Sequence, residues 1–193
     1  NDIIPVIKRI NWSVNTVYDY YRDDVDMFES DVNGEPLYNF YIKNRFDQVF
    51  KCLWNNNGSL STSEPYFEPG SYGTNNIYFG VDGYKWKYMY TIDNNLKLNF
   101  MDNSWMPIKT SLNLQPPNAS DSLEGCGGIE VINVINGGQN YDQANAIITV
   151  SITGDGSGAA ATVVTTNNSI SEILVTSTGS NYTYANVTIT TAN

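Results

Sequence analysis

The clearest alternation in the chain lies over 84–91, where Tyr84, Trp86, Tyr88 and Tyr90 take every second place and Lys85, Lys87, Met89 and Thr91 fill the gaps. A period of two predicts a strand with four rings along one face. The apolar run at 77–81 predicts a partner strand, joined to the first near Asp82-Gly83. Upstream, YNFYIKN (38–44) and QVFKCLWN (48–55) flank Arg45-Phe46-Asp47 and predict a hairpin with a three-residue turn. In its second strand Phe50, Cys52 and Trp54 alternate with Val49, Lys51 and Leu53. IIPVIKRI (3–10) reads as an apolar strand interrupted by Pro5, and 55–76 as a long loop of breakers. No segment sustains a 3.6-residue apolar period, so helix content is expected to be low. The expected class is all-β, mainly antiparallel sheets in the manner of a β-sandwich.

The pattern changes near residue 115. All four Trp and all seven Phe precede it, whereas Gly, Ala, Thr, Val, Ile and Asn dominate after it. QPPNASDSLEGCGG (115–128) joins the parts with paired prolines and clustered glycines. The expected organisation is a β-domain over 1–115, a linker over 116–126 and a small β-domain over 127–193. The small domain holds an internal repeat: 129–149 and 170–190, offset by 41, agree at ten positions. Each copy reads as strand, glycine turn with a tyrosine, strand, and the two are expected to pack as hairpin-like pieces. Gly138 and Gly179 supply the turns, and Tyr141 and Tyr182 cover the turn ends. GDGSG (154–158) has glycines like a phosphate loop, but no Lys and no following helix, so it predicts a hairpin turn. A second turn is expected at Asn167-Asn168.

Composition narrows the chemistry. The chain has 193 residues, net charge −10 and no histidine. Ten basic residues against twenty acidic ones argue against phosphate-backbone binding and against an anionic membrane surface. Without His, the Ser-His-Asp and Cys-His arrangements cannot be built from this chain. Cys52 and Cys126 alone are too few for a zinc site and are expected to stay reduced. No apolar run reaches the roughly 20 residues of a spanning helix. Asn1-Asp2-Ile3-Ile4-Pro5 lacks a signal-peptide pattern, and a first residue that is not Met points to part of a longer polypeptide.

Three candidate sites follow. The row Tyr84–Tyr90 is either a ring platform for a glycan or a packed face, and the packed face is preferred because aromatic strands more often bury than bind. The acidic run 21–31, with Asp23, Asp24, Asp26, Glu29 and Asp31, carries oxygen ligands of the kind calcium takes. Its spacing departs from the calcium-loop pattern, so a solvated loop is expected. Glu64, Glu68, Asp82 and Asp93 are the carboxylates available to a glycosidase, which needs two of them facing each other.

The order of several segments in the first domain adds a resemblance. PVIKRINWSVNTVYDYY (5–21), VFKCLWNNNG (49–58), EPGSYGTNNIYFGVDGYKWKYMYTID (68–93) and NSWMPIKT (103–110) together resemble the baseplate wedge protein of contractile-tailed bacteriophages known as gene product eight. The most specific match is the Asp-Gly-Tyr-x-Trp-x-Tyr strand formed by Asp82, Gly83, Tyr84, Trp86 and Tyr88. The resemblance covers about 110 residues and leaves out the repeat domain, whose NGGQNY and TGSNY turns look like Gly-Gly-x-Gly-Tyr repeats appended to phage virion proteins. It implies a structural subunit of the virion tail baseplate, assembled in the host cytoplasm. It also implies pairing as a homodimer within a wedge that contacts other wedge and tail proteins, with no cofactor, no metal and no catalytic residue. Under it Trp12, Trp54, Tyr84, Trp86, Tyr88 and Tyr90 are structural or interface residues. A glycan-binding adhesin or receptor-binding module using exposed rings is the alternative.

Overall fold

The structure is a computed structural model and describes residues 3–68, 76–108, 127–141 and 147–192. The chain divides into two compact units, Asn1–Thr110 and Ser111–Asn193. The expected boundary at 115, the linker 116–126 and Cys126 lie outside the described residues. Both units are built from antiparallel strands, as the alternation predicts, and the described residues contain one short helix.

In the first unit β1 (Val6–Lys8) pairs with β6 (Trp105–Pro107). Four further strands, β2 (Tyr41–Lys43), β3 (Gln48–Asn55), β4 (Ile77–Phe79) and β5 (Tyr84–Thr91), form one sheet in the order β2-β3-β5-β4. The β2–β3 turn is the expected three-residue turn, closed by the Asn44 N–H donating to Gln48 O at 2.9 Å. Asp47 there has φ 58°, a left-handed conformation that Asp tolerates. Asn44 holds the turn from inside: its Oδ1 accepts from the Phe46 and Gln48 amides, and its Nδ2 donates to Gln48 Oε1 and Pro65 O. The helix α1 (Asn94–Phe100) starts where Asp93 accepts a hydrogen bond from the Leu96 amide, an N-cap, and it buries no residue.

The central strand β3 is covered on both faces, which is why it reads as a nearly continuous apolar run. One face joins Tyr18, Ile42, Phe50, Cys52, Tyr84 and Trp86, under the segment bearing Ile10, Trp12 and Tyr20. The other joins Met27, Phe40, Tyr41, Val49, Ile92 and Met106, under Ile7 of β1 and Leu96 of α1.

Two irregularities break the expected alternation. Val49 pairs with Tyr90 but Phe50 pairs with Tyr88, so Met89 is an extra residue in β5. Tyr90 therefore leaves the Tyr84–Trp86–Tyr88 face and packs in the second cluster, its hydroxyl donating to Pro107 O at 3.0 Å. Likewise Cys52 pairs with Trp86 but Trp54 pairs with Lys85, making Leu53 the extra residue in β3. Trp54 thus does not share the Phe50–Cys52 face; it lies beside Lys85 and touches Tyr20. A one-residue bulge reverses the face of everything beyond it.

The second unit has strands β7 (Ile147–Gly154), β8 (Ser157–Thr166), β9 (Ser169–Ser180) and β10 (Ala185–Ala192). Asn167 and Asn168, both at positive φ, make the tight β8–β9 hairpin turn that the sequence predicts. GDGSG is not a hairpin turn, because β7 pairs with β10 and β8 with β9; the glycines carry the chain from one ladder to the other. The repeat copies are likewise not self-contained hairpins. Strands of one copy pair with their counterparts in the other: Ile132 bridges Ile173, and Thr149 pairs with Thr190.

Candidate functional site

The rings singled out in the sequence build an interior. Tyr84 and Trp86 are fully buried and stacked, with centroids 5.5 Å apart and planes 13° apart. Tyr18 meets Trp86 edge-on at 5.4 Å. Tyr88 stacks on Phe67 at 3.9 Å and meets Phe50 edge-on. The polar ends are tied down: the Tyr84 hydroxyl donates to Ser59 O at 2.6 Å and accepts from the Tyr18 amide. Trp12 packs against this cluster and donates from Nε1 to Ser61 Oγ at 3.0 Å. Tyr84 and Trp86, with no exposed surface, offer no face to a sugar. Burial pushes the Cys52 thiol up, away from thiolate chemistry, and Cys52 is free.

The carboxylates are engaged one by one. Asp82 Oδ2 accepts from the Thr62 amide at 2.7 Å, the Ser63 amide at 2.9 Å and Ser61 Oγ at 3.2 Å, and Oδ1 accepts from the Tyr84 amide. It staples the loop after β3 to the start of β5. Glu64 accepts from the Arg45 amide and guanidinium, and Asp93 caps α1. Each of these three carboxylates already holds a loop, a turn or a helix start in place. In the acidic run Asp24 pairs with Arg22, Asp26 accepts from the Phe28 amide, and Asp31 accepts from the Asn33 and Glu35 amides. Among the described residues no group of His, Cys, Asp and Glu is placed to hold a metal ion. No described helix is long and apolar enough to cross a membrane.

The face of the sheet opposite the buried rings carries a feature the alternation contained but did not single out. Lys51 of β3 pairs directly with Lys87 of β5, and Lys85 follows two residues along the same strand. The Lys51 ammonium lies over the Tyr21 ring at 4.4 Å and that of Lys85 over Phe79 at 5.6 Å. Burial holds both Lys51 and Lys87 below the ordinary lysine value, Lys87 down to about 8 with Lys51 adding repulsion.

In the second unit the two turns are built alike. Gly138 and Gly179 have φ 62° and 64°, and Asn140 and Asn181 have φ 72° and 63°. Each glycine lies under its tyrosine: a Cβ on Gly138 would meet Tyr141 at 3.1 Å, and one on Gly179 would meet Tyr182 at 2.8 Å. Tyr182 also fills a socket at Gly156, where a Cβ would come within 2.4 Å of its ring. Asp155 accepts from the Thr183 hydroxyl and amide and from the Tyr184 amide, which hold its carboxyl down at about 2. Asp155 thereby ties the GDGSG segment to residues 183–184. No protein-family model, no curated protein and no solved structure matches this chain.

Proposed function

We propose that this chain is a structural subunit of a phage tail baseplate wedge, acting through protein–protein contacts rather than through a catalysed reaction. The observation that carries the reading is the burial of Tyr84 and Trp86: the segment most like the wedge proteins serves here as the core strand of the first unit. Residues used for packing, carboxylates used as staples and a free buried thiol suit a part whose work is to hold shape. The repeat unit lies outside the resemblance and serves as an appended docking or decoration module. The natural setting of such a subunit is the virion tail, with assembly in the host cytoplasm, as a homodimer among other wedge proteins.

Co-expression with the products of neighbouring tail genes, followed by affinity capture and sedimentation, tests the reading. A complex with a wedge component, and a dimer of the isolated chain, are the expected results. A monomer with no affinity for any tail component would sink it. The glycan-binding alternative has to work without Tyr84 and Trp86, using exposed rings such as the edge-on pair Phe46 and Tyr66.

A further inference from the structure

We infer that β10 of the second unit is a self-association edge: it pairs antiparallel with the β10 of a second copy of this chain, joining two units into one continuous sheet. The inference goes beyond the reading above, because it concerns the unit that the wedge resemblance leaves out.

The ladder that β10 belongs to is short of strands. Among the described residues β7 and β10 form a two-stranded sheet, and a two-stranded ribbon is marginal in water unless further strands or packing complete it. In an antiparallel pair, half of each strand's N–H and C=O groups point to the partner and half point away. β7 has β8 beside it. On β10 seven of the eight residues are exposed, and among the described residues every hydrogen bond made by β10 runs to β7. Proteins guard such edges with charges, prolines, bulges or very short strands. β10 has none of these: Ala-Asn-Val-Thr-Ile-Thr-Thr-Ala is uncharged, and its eight pairs with β7 run without a shift. Other strands differ. β1, β2, β4 and β6 have three residues each, and the β8–β9 ladder is broken by two bulges.

The repeat identifies the strand that fits. Thr149 and Thr190 occupy one repeat position, 41 residues apart, and they face each other in the β7–β10 ladder with their hydroxyl oxygens 2.6 Å apart. Across its inner edge, β10 thus already pairs with its own repeat counterpart. A second chain offers the true copy at the outer edge. A two-fold axis perpendicular to the sheet near Thr188 keeps the two faces in phase. On one face Thr188 and Thr190 of both copies form a row of hydroxyls. On the other Val187 meets Ile189, which extends the apolar strip of Val150 and Ile152. Val187 is 38% exposed in the single unit, so the seam covers it. Neither β7 nor β10 carries a charge, and two chains of net charge −10 therefore meet there without like charges opposed across the seam. The product is a four-stranded sheet with β10 of each copy in the middle and β7 of each copy outside.

The test uses the full chain in sedimentation velocity over a range of concentrations, with amide exchange of residues 185–192 read by mass spectrometry at each. The wild-type chain should pass from monomer to dimer, and about half of the β10 amides, those on the outer edge, should gain protection as the dimer fills. Thr188→Lys sets like charges at the seam and should weaken the dimer about fivefold at low salt, the equivalent of about 1 kcal/mol, with matching loss of that protection. Thr188→Glu should do the same, and mixing the two variants should restore a dimer, because opposite charges then meet. Thr162→Lys, on the exposed side of β8, adds the same charge elsewhere and should leave dimerisation unchanged. Far-ultraviolet dichroism checks the fold, and Asn186→Lys with Asn186→Glu replaces the Thr188 pair if either member unfolds. A monomer at every concentration, a dimer that neither variant weakens, a mixture no tighter than its parts, or growth past the dimer into open chains would each overturn the inference. A dimer that ignores β10 leaves the wedge reading standing without this inference. A β10 dimer that captures no wedge component leaves this inference standing without the wedge reading.

Discussion

Replacing Trp86 tests whether the ring row is interior. The side chain is fully buried, stacked on Tyr84 and met edge-on by Tyr18. Trp86→Ala removes that burial and leaves a cavity, at a cost of about 3–5 kcal/mol. Trp86→Phe behaves differently because of one atom. The indole Nε1–H is buried with no hydrogen-bond partner, a condition costing about 1–3 kcal/mol. Phenylalanine loses the equivalent of two or three buried methylenes, about 2 kcal/mol, but it also removes the orphan donor. Its net cost is therefore about 1 kcal/mol or less. All four tryptophans lie in the first unit, so their fluorescence follows its urea unfolding without signal from the second. With an m-value of about 1.5 kcal/mol/M, the alanine midpoint falls by about 2–3 M and the phenylalanine midpoint by less than about 1 M. A phenylalanine midpoint lowered by about 1.3 M, the full loss of about 2 kcal/mol, would show that the orphan N–H costs nothing. An alanine variant with the wild-type midpoint would show that the ring is not in the core, and would return the glycan platform to consideration.

Asp82→Asn keeps the shape but turns an acceptor into a donor facing the amides of Thr62 and Ser63; the tryptophan transition should fall by about 1.5–3 kcal/mol, and an unchanged midpoint would refute the staple. Stability should also vary with pH in a defined sense. Lys87 binds its proton with a pKa of about 8 when folded against 10.5 when unfolded, so the unfolded chain holds more protons in that window and stability rises with pH across it. Half-exposure of the lysine keeps that rise small. Tyr41 and Tyr90 are pushed up to about 12 from 10, so above about 10 the folded chain holds more protons and stability falls. Urea midpoints read across pH 7 to 11 by tryptophan fluorescence should show a shallow maximum near 10, and a steady decline over the whole range would contradict these assignments.

Strand existence and the tight turns were legible because they are local. A period of two over 84–91, Asn-Asn at 167–168 and the three-residue turn at 45–47 need only neighbouring residues to act. Bulges are not local. Met89 and Leu53 become the extra residues because β3 must serve two cores at once, placing Phe50 against Tyr88 on one side and Val49 against Tyr90 on the other. Nothing in a run of alternating residues marks which member will be skipped, so Tyr90 and Trp54 were expected on faces they do not occupy. The lysines obey the same rule: alternation assigns Lys85 and Lys87 to the far side of the rings, but the opposition of Lys87 to Lys51 is set by the register. The helix at Asn94–Phe100 is too short to show a period, and its Asp93 cap is established only by the hydrogen bond from the Leu96 amide.

The repeat carries the same lesson further. Ten matches at an offset of 41 establish that two copies exist and that their turns are alike, and the left-handed Gly138/Gly179 and Asn140/Asn181 pairs agree with that. They do not say which strand pairs with which, because a strand's alternation is indifferent to its partner. The hydrogen bonds decide it. Tyr141 donates its amide to Asn168 O at 2.8 Å and Tyr182 to Gly127 O at 2.9 Å; Ile129 donates to Thr178 O and Ile170 to Gly137 O. In each pair, adding 41 to one bond's residue in the first copy gives its equivalent in the other bond, so the contacts are reciprocal, as across the interface of a two-fold dimer. Two short strands joined by a glycine turn cannot cover their own apolar side. Exchanging partners lets each copy cover the other, with Ile170, Ile173 and Tyr182 as the buried residues between them. The unit is therefore one cooperative structure made from two sequence copies, and neither copy is a module that folds or docks by itself.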